Sequence, residues 1–372
     1  MVEGLYFHIP FCSSKCPYCD FVSFVSDPSE EYLELLKLEL NLYQELDFNL
    51  KTIYFGGGTP SLVPTKLWKK FFRSLDLKGV QEITIECNPE DYEEKDFQEL
   101  LSLGVNRLSF GVQSFLEKNL KFLGRKHSPK RSLQVIEQTH RSGFKNISID
   151  IIYGLPNQSL KDLKEEINII KDLPITHLSA YLLTPYEDTL FGELWKKGNL
   201  ELPSDEKVEE MFLYLSEELN SMGFDHYEIS NFAKEGYECK HNLLYWTHRE
   251  FLGLGVSAWS FVNKRRFGNY RNIQAYKKAV LKGIRPVERE EVLEGEDLIK
   301  DYLFVALRTK YGISKQMLKF IPESLREFFV EEGKRLRLSK KGWLLMNEIW
   351  WGLTKQLSTF PHQTNGDIIF KL

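Results

Sequence analysis

The N-terminal half of the chain alternates short apolar runs with amphipathic stretches. The apolar runs fall at residues 4–9, 51–55, 82–87, 106–110, 146–152 and 176–182. Helical periodicity occupies 30–46, 65–75, 95–103, 129–142 and 160–173 between them. Strand and helix in alternation predict βαβ units on a parallel sheet, with right-handed crossovers. Six such units suit a doubly wound sheet or a partial (β/α)6 barrel of the TIM type. The polar and glycine-rich segments favour the barrel, because they follow successive strands: a cysteine loop after the first, Gly56-Gly57-Gly58-Thr59-Pro60 after the second, Glu86 ending the third, Gly111-Val112-Gln113-Ser114 after the fourth, and Asp150 near the end of the fifth. In a parallel barrel all of these would open on one mouth.

After about residue 200 the alternation weakens. A helix is expected over 204–222, capped by Ser204 and stopped by Gly223. Residues 239–261 are rich in aromatics and glycine. From about 295 the pattern is of short helices, a small hairpin over 334–342 and a final helix near 343–353. The expected organisation is an α/β partial barrel over 1–200, an accessory region over 201–294, and a mainly helical, winged-helix-like domain over 295–372. The polar segment 354–372 suggests no function.

Composition narrows the class. Apolar residues make up 42% of 372, enough for a sizeable core, and the formal charge of −4 gives no basic surplus for nucleic acid. No apolar run has transmembrane length, and no signal peptide is read ahead of the cysteines. Five cysteines in a chain of this length are not a disulfide framework, so a reducing, cytoplasmic setting is expected.

Cys12, Cys16 and Cys19 are spaced C-x3-C-x2-C, with no fourth cysteine nearby. Three thiolates can hold three corners of a [4Fe–4S] cubane and leave one iron open to a small molecule. C-x2-C alone also serves zinc and redox sites, and a zinc ion would need a fourth ligand from Cys87, Cys239 or His8. The glycine run reads either as a tight strand-to-helix turn or as backbone that a ligand approaches closely. Glu86, Gln113, Arg125 and Asp150 stand in or just beyond apolar strands, where a charged group needs a partner; capping and ion pairing are the ordinary explanations. Cys87 continues a strand and reads as a core thiol. Arg107 reads either as a strand-start residue or as one that reaches the mouth.

Tyr6-Phe7-His8-Ile9-Pro10-Phe11-Cys12, together with the triplet, resembles the radical S-adenosylmethionine (SAM) enzymes. The likeness is strongest to the branch of oxygen-independent coproporphyrinogen III oxidase and the HemW haem chaperones, and it spans nearly the whole chain. It implies a [4Fe–4S] cluster on Cys12, Cys16 and Cys19, with SAM on the open iron. In that superfamily the cluster passes one electron to the sulfonium, giving methionine and a 5′-deoxyadenosyl radical. By the same resemblance Gly57, Gly58 and Thr59 meet the SAM amino group, Glu86, Gln113, Arg125 and Asp150 hold SAM, and Tyr6 and Tyr18 flank cluster and SAM. The arginine fork suits a carboxylate, and an acidic residue suits ribose hydroxyls.

Two departures separate this chain from the oxidases. They carry a further cysteine two places after the third, where this chain has Phe21, and a longer segment before the cysteine loop, where this chain has eleven residues. His241-Asn242-Leu243-Leu244-Tyr245-Trp246 resembles the H-N-x-x-Y-W motif that supplies a haem-ligating histidine in the chaperones; the ordinary reading of a lone histidine is a satisfied core residue. The resemblance thus implies a haem chaperone. It implies acceptor haem proteins, respiratory ones among them, and leaves room for peripheral membrane association through them and for a homodimer. The alternative is porphyrinogen oxidation by decarboxylation, and a third reading is a non-catalytic metal-binding module.

Overall fold

A computed structural model describes residues 1–357; residues 358–372 of the expected C-terminal domain lie outside the described residues. Six parallel strands run in chain order through the sheet: β1 (Val2–Ile9), β2 (Phe48–Gly57), β3 (Glu82–Cys87), β4 (Arg107–Gln113), β5 (Asn146–Tyr153) and β6 (His177–Leu182). The crossovers carry α1 (Glu30–Asn41), α2 (Thr65–Phe72), α3 (Glu94–Ser102), α4 (Pro129–Arg141) and α5 (Leu160–Lys171). This is the α/β partial barrel expected. Helix α1 stops short of the 30–46 pattern, and residues 42–46 turn instead.

The strands prove to be alternating rather than uniformly apolar. One face carries Phe7, Phe55, Ile85, Phe110 and Ile149, all fully buried against the helices. Phe55 lies 5.0 Å from the Phe7 ring and 4.7 Å from Trp68 of α2, centroid to centroid. Truncating a phenylalanine so enclosed costs about 3–5 kcal/mol. The opposite, concave face is polar. Thr52 meets His241, Tyr54 meets Glu86, Ser109 meets Asp150 and Ser148 meets His177 by side-chain hydrogen bonds. Successive residues of a strand point to opposite faces, so one sequence pattern builds both an oily shell and a polar lumen.

The sheet does not end with these strands; it has twelve in all. Beyond β6 it continues antiparallel through Asn231–Ala233 (β8) and Asp225–Glu228 (β7), the latter following the expected helix, Asp205–Ser221. After α6 (Lys240–Trp246), β9 (Phe251–Leu254) returns to pair parallel with β1, and β10 (Trp259–Val262), β11 (Arg265–Asn269) and β12 (Val287–Val292) extend it antiparallel. Glu39 of α1 staples this extension from behind, accepting from Gly255 N (2.7 Å), Asn269 Nδ2 (2.6 Å) and Tyr276 Oη (2.7 Å). Complete burial pushes its carboxyl up to about 7 despite those donors.

The C-terminal unit follows the order of a winged helix: α7 (Gly295–Ala306), β13 (Ile313–Ser314), two 3-10 turns (Lys315–Phe320 and Glu323–Phe328), the hairpin β14 (Phe329–Glu332) and β15 (Arg335–Leu338), then α8 (Lys340–Leu344) and α9 (Met346–Leu357). The one helix expected near 343–353 is thus two. Trp343 ties the unit down, donating Nε1–H to Leu307 O (3.0 Å) and packing 4.7 Å from the His226 ring. Among the described residues no helix is long and apolar enough to cross a membrane.

Candidate functional site

The cysteine loop leaves β1 at Ile9 and closes over the mouth of the lumen. Its three thiols are unpaired and partly exposed, and each sulfur has its own donor. Thr59 Oγ1 donates to Cys12 Sγ (3.5 Å), Arg125 Nη1 to Cys16 Sγ (3.6 Å), and the Phe21 backbone N–H to Cys19. Burial raises the Cys19 thiol, while the Phe21 amide and the Lys15 charge oppose that rise. Such donors suit sulfurs that carry negative charge, as cluster thiolates do. Among the described residues no three His, Cys, Asp or Glu groups stand close enough together to hold a single metal ion.

The glycine run is demanded by the protein itself. Gly57 has φ +110°, and a Cβ there would lie 2.6 Å from the His8 ring. A Cβ on Gly58 would lie 2.7 Å from Phe11 O, inside the cysteine loop. The run therefore lets β2 press against that loop, which carries Thr59 to Cys12.

Deeper in the lumen, Glu86 Oε1 accepts from Tyr54 Oη (2.7 Å) and Oε2 from Gly57 N (3.2 Å). Burial pushes its carboxyl up to about 7, the Asp150 charge pushing the same way and the Tyr54 bond opposing. Asp150 is held by Ser179 and Ser109, the latter at 3.4 Å, and burial raises it to about 6. Arg125 Nη2 donates to Asn88 Oδ1 (2.6 Å) and Gly111 O (3.0 Å), while its Nε is buried without a partner. That orphan N–H, on a guanidinium beside Cys16, fits an anionic ligand group. Gln113 ends β4 at φ +66°, an uncommon conformation for a side-chain-bearing residue that gathers at functional sites. Tyr18 lies beside Cys16 and Arg125. Tyr6 Oη bonds His8 Nδ1 (3.2 Å), and its ring stacks on Tyr54 at 6.1 Å.

His241 sits apart from the triplet, on the lumen floor. It is fully buried, with Nδ1 on Thr52 Oγ1 (2.7 Å) and Nε2 on Tyr245 Oη (2.7 Å). Its ring stacks at 5.1 Å on Tyr54 and 6.4 Å on Tyr6. Burial and the Arg107 charge lower its imidazole to about 3. Glu82 fixes the segment, accepting from the backbone N–H of Lys240 and of His241, both at 3.0 Å, at the start of α6. Beside Tyr245 lies an open recess of about 480 Å³ that Tyr6 and His8 line on the lumen side, with Phe251 and Trp259 on its walls.

Several contributors escaped the sequence reading. Asn88 bridges Arg125 and Thr59; its signal was its place in the Glu86-Cys87-Asn88-Pro89 run. Tyr54 and Glu82 were legible only through the alternation of strand faces. Arg107 is buried on the lumen floor, with Nε and Nη1 unpartnered. Cys87 is a core thiol, and Cys239 bonds Glu82 (3.6 Å).

A family model for the radical SAM superfamily matches residues 6–170. Heme chaperone HemW of Lactococcus lactis is 34% identical over 371 residues, covering 94% of this chain and 96% of that protein. Heme chaperone HemW of Bacillus subtilis is 34% identical over 380 residues, covering 96% and 100%. Among solved structures, coproporphyrinogen III oxidase (HemN) from Escherichia coli superposes with a TM-score of 0.79 at 21% identity, over 95% of this chain and 90% of that one; this likeness shows a shared fold. With a third of its residues shared along nearly its full length, the chain belongs to the HemW heme chaperone family of the radical SAM superfamily.

Proposed function

We propose that this protein is a cytoplasmic haem chaperone that binds haem and passes it to acceptor haem proteins, respiratory ones among them. Cys12, Cys16 and Cys19 hold a [4Fe–4S] cluster, and SAM takes the open iron. The residues fit these groups. Three sulfurs each have a donor, and the unpartnered Arg125 Nε would be satisfied by a carboxylate such as that of SAM. Gly57, Gly58, Thr59 and Glu86 serve the ammonium side, Gln113 and Asp150 the remainder of SAM, and Tyr6 and Tyr18 flank it. Bound there, the cluster would supply single electrons; it also supports assembly, including a homodimer.

The observation that carries the haem reading is the placement of the His241–Tyr245 pair. The H-N-x-x-Y-W segment folds as a helix that puts Tyr245 on the wall of an aromatic recess, its hydroxyl on His241 Nε2. Ligation of iron by His241 requires that hydroxyl to leave Nε2, since both ring nitrogens are engaged. Haem titration followed by Soret absorption tests the reading on wild type, His241→Ala and Tyr245→Phe. The wild type should bind with a defined stoichiometry, His241→Ala should lose the ligated spectrum, and Tyr245→Phe should retain it. An unchanged spectrum in His241→Ala removes His241 as ligand. Decarboxylation of coproporphyrinogen III by the reduced, reconstituted protein would replace the chaperone reading with the oxidase.

A further inference from the structure

The recess beside β1 has a chemistry that its aromatic walls alone do not explain. Its floor is the concave face of the sheet where β9, β10 and β11 continue from β1. Trp259 lies flat on this floor: a Cβ on Gly268 would stand 2.8 Å from the indole. The ring is 44% exposed, so its other face is open. Tyr245 and Phe251 meet edge to face at 4.4 Å and close the inner end. The roof is the cysteine loop, which contributes Phe21, at 59% one of the most exposed large apolar side chains.

Arg271 and Arg289 line the outer rim. Neither guanidinium has an ion pair or hydrogen bond among the described residues. Their neighbours differ: Arg265 is paired with Glu290, and Arg266 with Glu291 and Asp301. The rim also carries Asp20 and Glu288, and Glu288 accepts the Arg271 backbone N–H at 3.4 Å. A flat aromatic slot of about 480 Å³ with two uncommitted guanidiniums at its open edge matches a planar apolar ligand that bears two carboxylates along one side. Pockets of this size suit a single cofactor-sized molecule, and arginine is the residue that pairs a carboxylate through two parallel N–H groups.

Resting on the chaperone reading, we infer that haem enters this recess edge-on, its ring between Trp259 and Phe21 and its two propionates on Arg271 and Arg289. The inner part of the ring then lies beside Tyr245, the residue whose hydroxyl covers His241 Nε2. The propionate edge stays at the rim, exposed, so haem can leave by the same path to an acceptor.

The test compares ferric haem with its dimethyl ester, whose propionates are masked, on the full-length chain. Wild type should bind haem more tightly than the ester by about tenfold per arginine. Arg271→Gln with Arg289→Gln, both at exposed positions, should bind the two ligands equally and release haem faster. Trp259→Ala should weaken both ligands alike. If wild type binds haem and the double variant keeps both its affinity and its preference for haem over the ester, the propionate assignment is wrong while the chaperone reading stands. If wild type binds neither ligand, the chaperone reading itself fails, and the inference with it.

Discussion

Removing the Glu82 carboxylate should loosen the segment that carries His241 and Tyr245. Glu82 is buried at the start of β3 and accepts from the N–H groups of Lys240 and His241 at 3.0 Å each. Its charge also lies near Arg107, whose Nε and Nη1 have no partner. In Glu82→Ala the first turn of α6 loses two charge-assisted hydrogen bonds, each worth about 1.5–3 kcal/mol. Arg107 also loses the field of that carboxylate. The two lost bonds put the expected loss at about 3–5 kcal/mol. A urea titration measures it as a lower midpoint at unchanged slope. Haem affinity should fall in the same variant, because the Tyr245 wall is no longer pinned to the sheet. Glu82→Leu combined with Arg107→Met should cost less than the two single changes added together. A loss for Glu82→Ala within about 0.5 kcal/mol, the scatter of ordinary surface changes, would refute the idea that this carboxylate holds the segment.

Other outcomes follow from the same geometry. Gly57→Ala should abolish iron–sulfur reconstitution, seen as lost iron content and lost visible absorption, because its Cβ would strike the His8 ring at φ +110°; normal iron content would show that the close approach is dispensable. Cys16→Ser should lose the cluster whereas Cys87→Ser keeps it, since Cys87 is a buried core thiol; equal iron loss in both would contradict the assignment of the triplet. Glu39 has its folded carboxyl raised from 4.5 to about 7. Its proton therefore stabilises the fold fully below the unfolded value, and that contribution is lost as pH rises through about 7. Glu39→Gln should flatten the fall in stability between about pH 5 and 7.5, leaving the part due to Glu86 and Glu166, which are raised for the same reason; an unchanged slope would mean that Glu39 does not hold its proton.

The six-strand order and the mouth were legible because parallel strands leave apolar runs, and because loops at strand C-termini carry the chemistry. The polar lumen was not legible at that resolution. A run such as Glu82–Cys87 is mostly apolar by composition, and only its alternation shows that Glu82, Thr84 and Glu86 share one face. The extension through β9–β12 was missed for a different reason. Its strands are short, and Phe251–Leu254 joins the sheet beside β1, Phe251 pairing with Gly4; long-range pairing of that kind leaves no local pattern. Glu39, alone among apolar neighbours on α1, was the one local sign of it. His241 was legible as a motif but not as an environment: nothing in H-N-x-x-Y-W says that Thr52 and Tyr245 take both ring nitrogens.

That extension changes what the cysteine loop does. In a barrel that ended at β1 the loop would cover the lumen alone. Here the concave face runs on without a break, and Tyr6 and His8 belong to both the lumen and the recess. The loop spans the two, with Cys12 and Cys16 over the lumen side and Asp20, Phe21 and Val22 over the recess. The Phe21 amide that meets Cys19 belongs to the residue whose side chain roofs the recess. If the thiols hold a cluster and the recess a flat ligand, as proposed above, both would draw on the same few residues of backbone, and order gained at one would lower the entropic cost of ordering the other. Phe21, two places past Cys19, is the residue of the loop whose exposed apolar ring lines the recess.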